Sequence, residues 1–276
     1  MRWTILAAIL LTGCSTIRQS TAPTPGALAA GIVLDRTMPA ELPKESTPVP
    51  DSQFILISTE SALGLLVPVP FVTEAATALM HHRDARQLGA RYAKVEPYAV
   101  LQQAMAGSTL LSKDGNGIKL HPLAYLLDCD DQQFRVALVA RMQSAGWTGR
   151  YMTHLPSTYA SAALKEASPA LLDKMRGEML LGAAALRGMM EKDARGELSK
   201  VLYRADVGTL HLACTRVAGM LSPELVLARN AAIVEEGPDY IIARAAGDYQ
   251  LPGPSGGLMF GLHYLRKDQL HTFRKH

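Results

Sequence analysis

Basic clusters, metal-ligand spacings, paired-cysteine motifs and long uncharged apolar runs are all missing from this chain. Each absence removes a class of function. Twenty-eight lysines and arginines stand against 25 acids in 276 residues, a formal charge of +3, and they form no cluster. Nucleic acid, which is bound through a concentrated basic footprint, is therefore excluded as an expected partner. No H-E-x-x-H or C-x-x-C spacing occurs, so neither a zinc-protease helix nor a dithiol motif is present, and no metal or cofactor is expected. The longest apolar stretch inside the chain, Ala62–Val72, is broken by Pro68 and Pro70 and flanked by Glu60 and Glu74. It is well short of the roughly 20 residues a membrane helix needs and reads as a buried turn leading into a helix. Aromatic residues make up only 6%.

What is present starts at the N-terminus. One positive charge, Arg2, precedes an apolar run from Trp3 to Leu11, and small residues follow. This is the layout of an export signal. The residues Leu11-Thr12-Gly13-Cys14 resemble the lipobox of bacterial lipoproteins. That resemblance implies cleavage before Cys14, a diacylglycerol on its thiol and an acyl group on its new amine. One acyl chain binds a membrane only marginally at about 0.8 kcal/mol per buried methylene, whereas three hold essentially for good. Residue 15 is serine and not aspartate. By similarity to the sorting of Gram-negative lipoproteins, this implies the outer membrane, with the body facing the periplasm. The whole resembles the small envelope lipoproteins of Gram-negative bacteria.

Three regions follow: a signal over 1–13, a lipidated, Pro/Ser/Thr-rich tether over 14–53, and a folded body over 54–276. The tether carries Pro23, Pro25, Pro39, Pro43, Pro48 and Pro50, with a short strand expected at Gly31–Asp35. With 48% hydrophobic and 19% charged residues, the chain has the means to bury a core. Helices are expected over 74–93 and 95–106. Alternation in Phe134–Met142 predicts a strand with one face turned inward. Strands at Ile118–Leu127 and Trp147–Leu155 complete an antiparallel meander. Ser168-Pro169 opens a long helix as cap and first residue. Its stripe is Leu172, Met175, Met179, Ala183, Leu186 and Met190, at spacings of three and four. Thr209–Val217, Leu225–Val234, Asp239–Arg244 and Leu258–Leu265 read as further strands. The expected class is α+β: antiparallel β-meanders packed with helices, and one long amphipathic helix between two strand runs.

Several constellations bear on chemistry. Gly253-Pro254-Ser255-Gly256-Gly257 matches G-x-S-x-G, but prolines precede Ser255 and a strand follows, where a nucleophile elbow needs strand, serine, then helix. His81 and His82 are adjacent on a helix and point about 100° apart. Four histidines, His121, His154, His211 and His263, fall on expected strands, where convergence on a metal is invisible. The acidic turn Asp128-Cys129-Asp130-Asp131 lacks the glycine and closing glutamate of an EF-hand loop. Trp147, Tyr151 and Tyr159 read as core aromatics, with a ligand pocket as the alternative. Cys129 and Cys214 are a possible disulfide in an oxidising compartment. No catalytic residue is assigned. The sequence points to a non-catalytic lipoprotein attached through Cys14 to the membrane, with an envelope protein as partner. A lipid- or glycan-binding protein with an apolar pocket is the alternative.

Overall fold

A computed structural model describes residues 18–23, 26–43, 46–58, 92–129, 133–144, 146–213, 226–247 and 258–276. Cys14, His81, His82, Cys214 and Ser255 lie outside these residues. Cys129 is the last residue of a strand whose backbone alone is described there.

The body is built on one sheet of eleven strands among the described residues. In chain order they are β1 (Ile32–Leu34), β2 (Ser46–Pro48), β3 (Phe54–Ser58), β4 (Ile118–Cys129), β5 (Gln133–Ser144) and β6 (Trp147–Ala160). After two helices come β7 (Tyr203–Thr209), β8 (Ala228–Glu236), β9 (Tyr240–Ala245), β10 (Gly261–Arg266) and β11 (Leu270–Lys275). The order across the sheet is β11-β7-β8-β9-β10-β6-β5-β4-β3-β2. β1 shares one edge of β4 with β3, pairing Ile32 with Ile118 where β3 pairs Phe54 with Ala124. The helices are α1 (Pro97–Met105), α2 (Ser161–Glu166), α3 (Pro169–Ala194) and the single turn α4 (Leu210–Ala213).

This corrects the expected fold class. The strands before and after α3 are not two runs separated by a helix: β10 hydrogen-bonds to β6, so both sets belong to one mixed sheet. That pairing is parallel, as are β1–β4 and β3–β4, so antiparallel meanders alone do not describe the body. Nor does burial on α3 stop at the expected stripe: Gly182 and Met189 are buried as well, and the stripe runs on to the charged Asp193. The reason is that alternation reports which face a side chain takes, and is silent about which strand lies alongside.

Burial on both faces explains why the central strands read as nearly continuous apolar runs. On β5, Phe134, Val136, Leu138, Ala140 and Met142 pack beneath α1 and α3. Ala137 and Val139 point the other way, into a second core with Ile55, Leu123, Met152, Val207 and Ile233. Ser168 caps α3 by accepting from the Leu171 amide, and Pro169 occupies its first position, where the lost N–H has no intrahelical partner anyway.

One residue shows that the sheet curls. Four strand-to-strand steps separate β7 from β6, about 19 Å in a flat sheet at ~4.8 Å each. Gln269 nevertheless reaches both strands. Its carbonyl accepts from Thr209 Oγ1 at 2.8 Å, and its Nε2 donates to the Leu155 carbonyl at 3.1 Å. The ends of β7 and β6 are thereby folded towards each other around the second core.

Candidate functional site

The curl builds a cluster that sequence reading left open. His154 precedes Leu155 on β6, His211 follows Thr209 on α4, and His263 lies on β10. The sequence pattern puts His211 on a strand, and the structure does not. The chain instead leaves β7 at Thr209, whose Oγ1 accepts from the His211 amide at 3.2 Å and starts a helical turn. The ring of His154 stacks on that of His263 with centroids 6.1 Å apart, and meets His211 edge-on, also at 6.1 Å. His154 is 4% exposed and His263 fully buried. His121 stays apart: its Nδ1 lies 2.7 Å from the Thr37 carbonyl.

Polar satisfaction in this cluster is low. His263 Nε2 is 3.0 Å from the Met259 carbonyl. A carbonyl only accepts, so Nε2 carries the proton and Nδ1 the lone pair. That Nδ1, both nitrogens of His154 and both of His211 have no partner among the described residues. Burial sets their charge state. Desolvation pushes the His154 imidazole well below the usual histidine range, and the charges of His211 and His263 push the same way. Desolvation, with Arg135 nearby, takes His211 down to about 4. Desolvation, with Arg150 nearby, takes His263 to about 3. All three are neutral near pH 7. Two imidazoles sharing one tetrahedral ion at ~2.0–2.1 Å would have centroids about 5 Å apart. These rings stand wider, and among the described residues no three His, Cys, Asp or Glu side chains are placed to hold a metal.

The other face of the sheet carries a polar group of opposite character. Tyr151 on β6 donates to Asp193 Oδ2 at 2.8 Å, and Arg244 Nη2 on β9 lies 2.7 Å from Asp193 Oδ1. Asp193 is buried at the end of α3, so this trio fastens the helix to two strands. Burial, then the Asp193 charge, raises the Tyr151 phenol well above its usual value, and it stays a donor. The signal was in the sequence: position 193 continues the stripe after Leu186 and Met190, and an acid on an apolar stripe calls for a partner. Tyr159 likewise donates to Glu178 Oε2 at 2.9 Å. Both tyrosines are core residues with a satisfied polar tip.

The third feature is where the chain enters the body. Arg18 and Gly247 form an antiparallel bridge, each amide donating to the other carbonyl at 3.1 Å. Arg18 Nη1 lies 3.3 Å from Glu41 Oε2, and the same oxygen lies 3.1 Å from Nη2 of Arg141 on β5, whose side chain is 2% exposed. Arg141 also donates to the Glu41 carbonyl. Trp147, at the start of β6, donates from Nε1 to the Thr21 carbonyl at 3.2 Å. Farther along, Gly31 passes so close to Ser112 that a Cβ would lie 2.8 Å from its backbone, and its φ is +78°. Only glycine fits there. The described part of the expected tether therefore lies hydrogen-bonded on the body.

A cleft of about 290 Å³ opens between Pro23, Gly26, Leu28 and Ala29 on one side and Thr109-Leu110 and the end of α3 on the other. Leu28, Ala29, Leu110 and Ala194 supply apolar wall, with Glu191 and Arg195 at its side. Glu191 is committed to Ser108 and Arg187, which hold its carboxyl below the usual range. No helix among the described residues is long and apolar enough to cross a membrane. Neither a family model, a curated protein nor a solved structure matches this chain.

Proposed function

We propose that this chain is a non-catalytic lipoprotein of the cell envelope, held to the outer membrane through Cys14 and binding or scaffolding another envelope component from its periplasmic face. The observation that carries the reading is Leu11-Thr12-Gly13-Cys14, placed after a charged and apolar leader. The clamp at Arg18 supports it, because a lipid anchor works on a body only through the segment that joins them. Mass spectrometry of the protein from membrane fractions tests it, with Cys14→Ala as control. A mature N-terminus at Cys14 carrying acyl chains, in outer-membrane fractions only for the wild type, is the expected result. An intact, unmodified Met1 terminus in the soluble fraction refutes it.

A second reading, lipid or glycan binding, has the cleft beside Leu28 as its supporting observation. It predicts saturable binding of a fluorescent fatty acid or a glycan fragment, lost on Leu28→Glu. Binding unchanged by that substitution would assign the ligand elsewhere.

A further inference from the structure

Resting on the anchored reading above, the geometry points to a defined seat on the membrane: phospholipid headgroups contact the end of the sheet that carries the β5–β6 turn, Trp147 and Gly247. Only Ser15, Thr16 and Ile17 stand between Cys14 and Arg18. Four residue steps span at most about 14 Å when fully extended, at ~3.3–3.6 Å each. Arg18 is not itself free to extend that reach. Its backbone is paired on both sides of the Gly247 bridge, its guanidinium lies on Glu41, and Glu41 is held by the buried Arg141. Three residues on, the Thr21 carbonyl is taken by Trp147. The leash is therefore shorter than the body it holds.

Register identifies the seat. Arg141 pairs with Arg150 and Ser144 with Trp147 on the β5–β6 hairpin, and Ala245 pairs with Gly261 on the neighbouring strands. The clamp, the hairpin turn and the end of β9 thus lie at one end of the sheet. The opposite end is far off: β6 runs from Trp147 to Ala160, about 40 Å at ~3.3 Å per residue. The leash of about 14 Å holds the clamped end at the bilayer, and with the strands standing off the surface the other end lies about 40 Å away. The end near Ala160 and the start of β5 faces away, where a periplasmic partner has access.

Tryptophan makes the test direct. The chain has two, and Trp3 leaves with the signal, so the mature protein holds Trp147 alone. Lipidated wild type and an Ala160→Trp variant, which keeps Trp147 and its Thr21 contact, are reconstituted in phosphatidylethanolamine/phosphatidylglycerol vesicles doped with headgroup-dansylated lipid, and transfer from position 160 is taken by difference. Ala160 is exposed, so the new indole sits in solvent. Energy transfer to dansyl is expected to be strong from Trp147 and several-fold weaker from position 160. Equal or reversed transfer in protein that floats with the vesicles overturns the seat and leaves the anchor standing. Protein that does not float overturns the anchor, and the seat with it.

Discussion

The two faces of the sheet bury polar groups on opposite terms. Under the helices, Asp193 has both carboxylate oxygens taken, one by Tyr151 and one by Arg244. Inside the curl, five ring nitrogens of His154, His211 and His263 have no partner among the described residues. A charge is tolerated in the first place because its partners came with it. In the second the imidazoles are tolerated because they give up their charge. The first group is a lock made of paired charges and a hydrogen bond, and the second is a debt that falls due on acidification.

The sharpest way to break this comparison is to lower the pH. Each histidine is depressed in the folded state from an ordinary value of 6.5, so the unfolded chain binds more protons than the folded one below about 6.5. Stability is full above that pH and falls as pH drops, until the folded groups themselves titrate, at about 4 for His211 and about 3 for His263. The ceiling is about 1.4 kcal/mol per pH unit for each histidine, hence about 4 kcal/mol per unit with all three. Urea unfolding at a series of pH values between 7 and 4.5 measures it, in a window above most carboxylate titration. A flat profile would mean the rings gain partners or solvent. His154→Phe should lower the slope by about one histidine's share.

Breaking the lock is the next largest effect. Asp193→Ala leaves Arg244 buried beside an empty place, and is expected to cost about 3–5 kcal/mol in thermal or denaturant unfolding. Tyr151→Phe removes one hydrogen bond to a charged acceptor and should cost about 1–3 kcal/mol. The smallest effect is at the clamp. Arg18 and Glu41 are both about half exposed, so Arg18→Ala should change stability by less than about 1 kcal/mol. Its loss would show instead in the vesicle measurement, as weaker transfer from Trp147.

Much of the local structure was legible, and the reasons are local. Alternation at Phe134–Met142 marks a strand because side chains on a strand change face at every residue, and the same residues pack under α3. Ser168-Pro169 starts a helix because a cap and its first turn involve neighbours only. What stayed hidden depends on distant partners. The sequence of β10 does not say that it lies parallel beside β6, and Gln269 gives no hint that it joins two strand ends. Leu210–Ala213 shows how a local pattern misleads. Thr-Leu-His-Leu-Ala alternates like a strand, yet the Thr209 side chain caps a turn there. The histidine cluster was visible as four scattered residues, and only the curl selects three of them. The pairing of Cys129 with Cys214 falls outside the described residues.

The bridge between Arg18 and Gly247 also sets an order of events. Its halves are 229 positions apart (247 − 18), so the early one waits for nearly the whole chain. Until β9 is in place, Arg18 has nothing to dock on. On the anchored reading proposed above, the short leash would thus be a product of folding: a nascent body would move freely beneath its anchor, and completing the sheet would draw it down onto the bilayer.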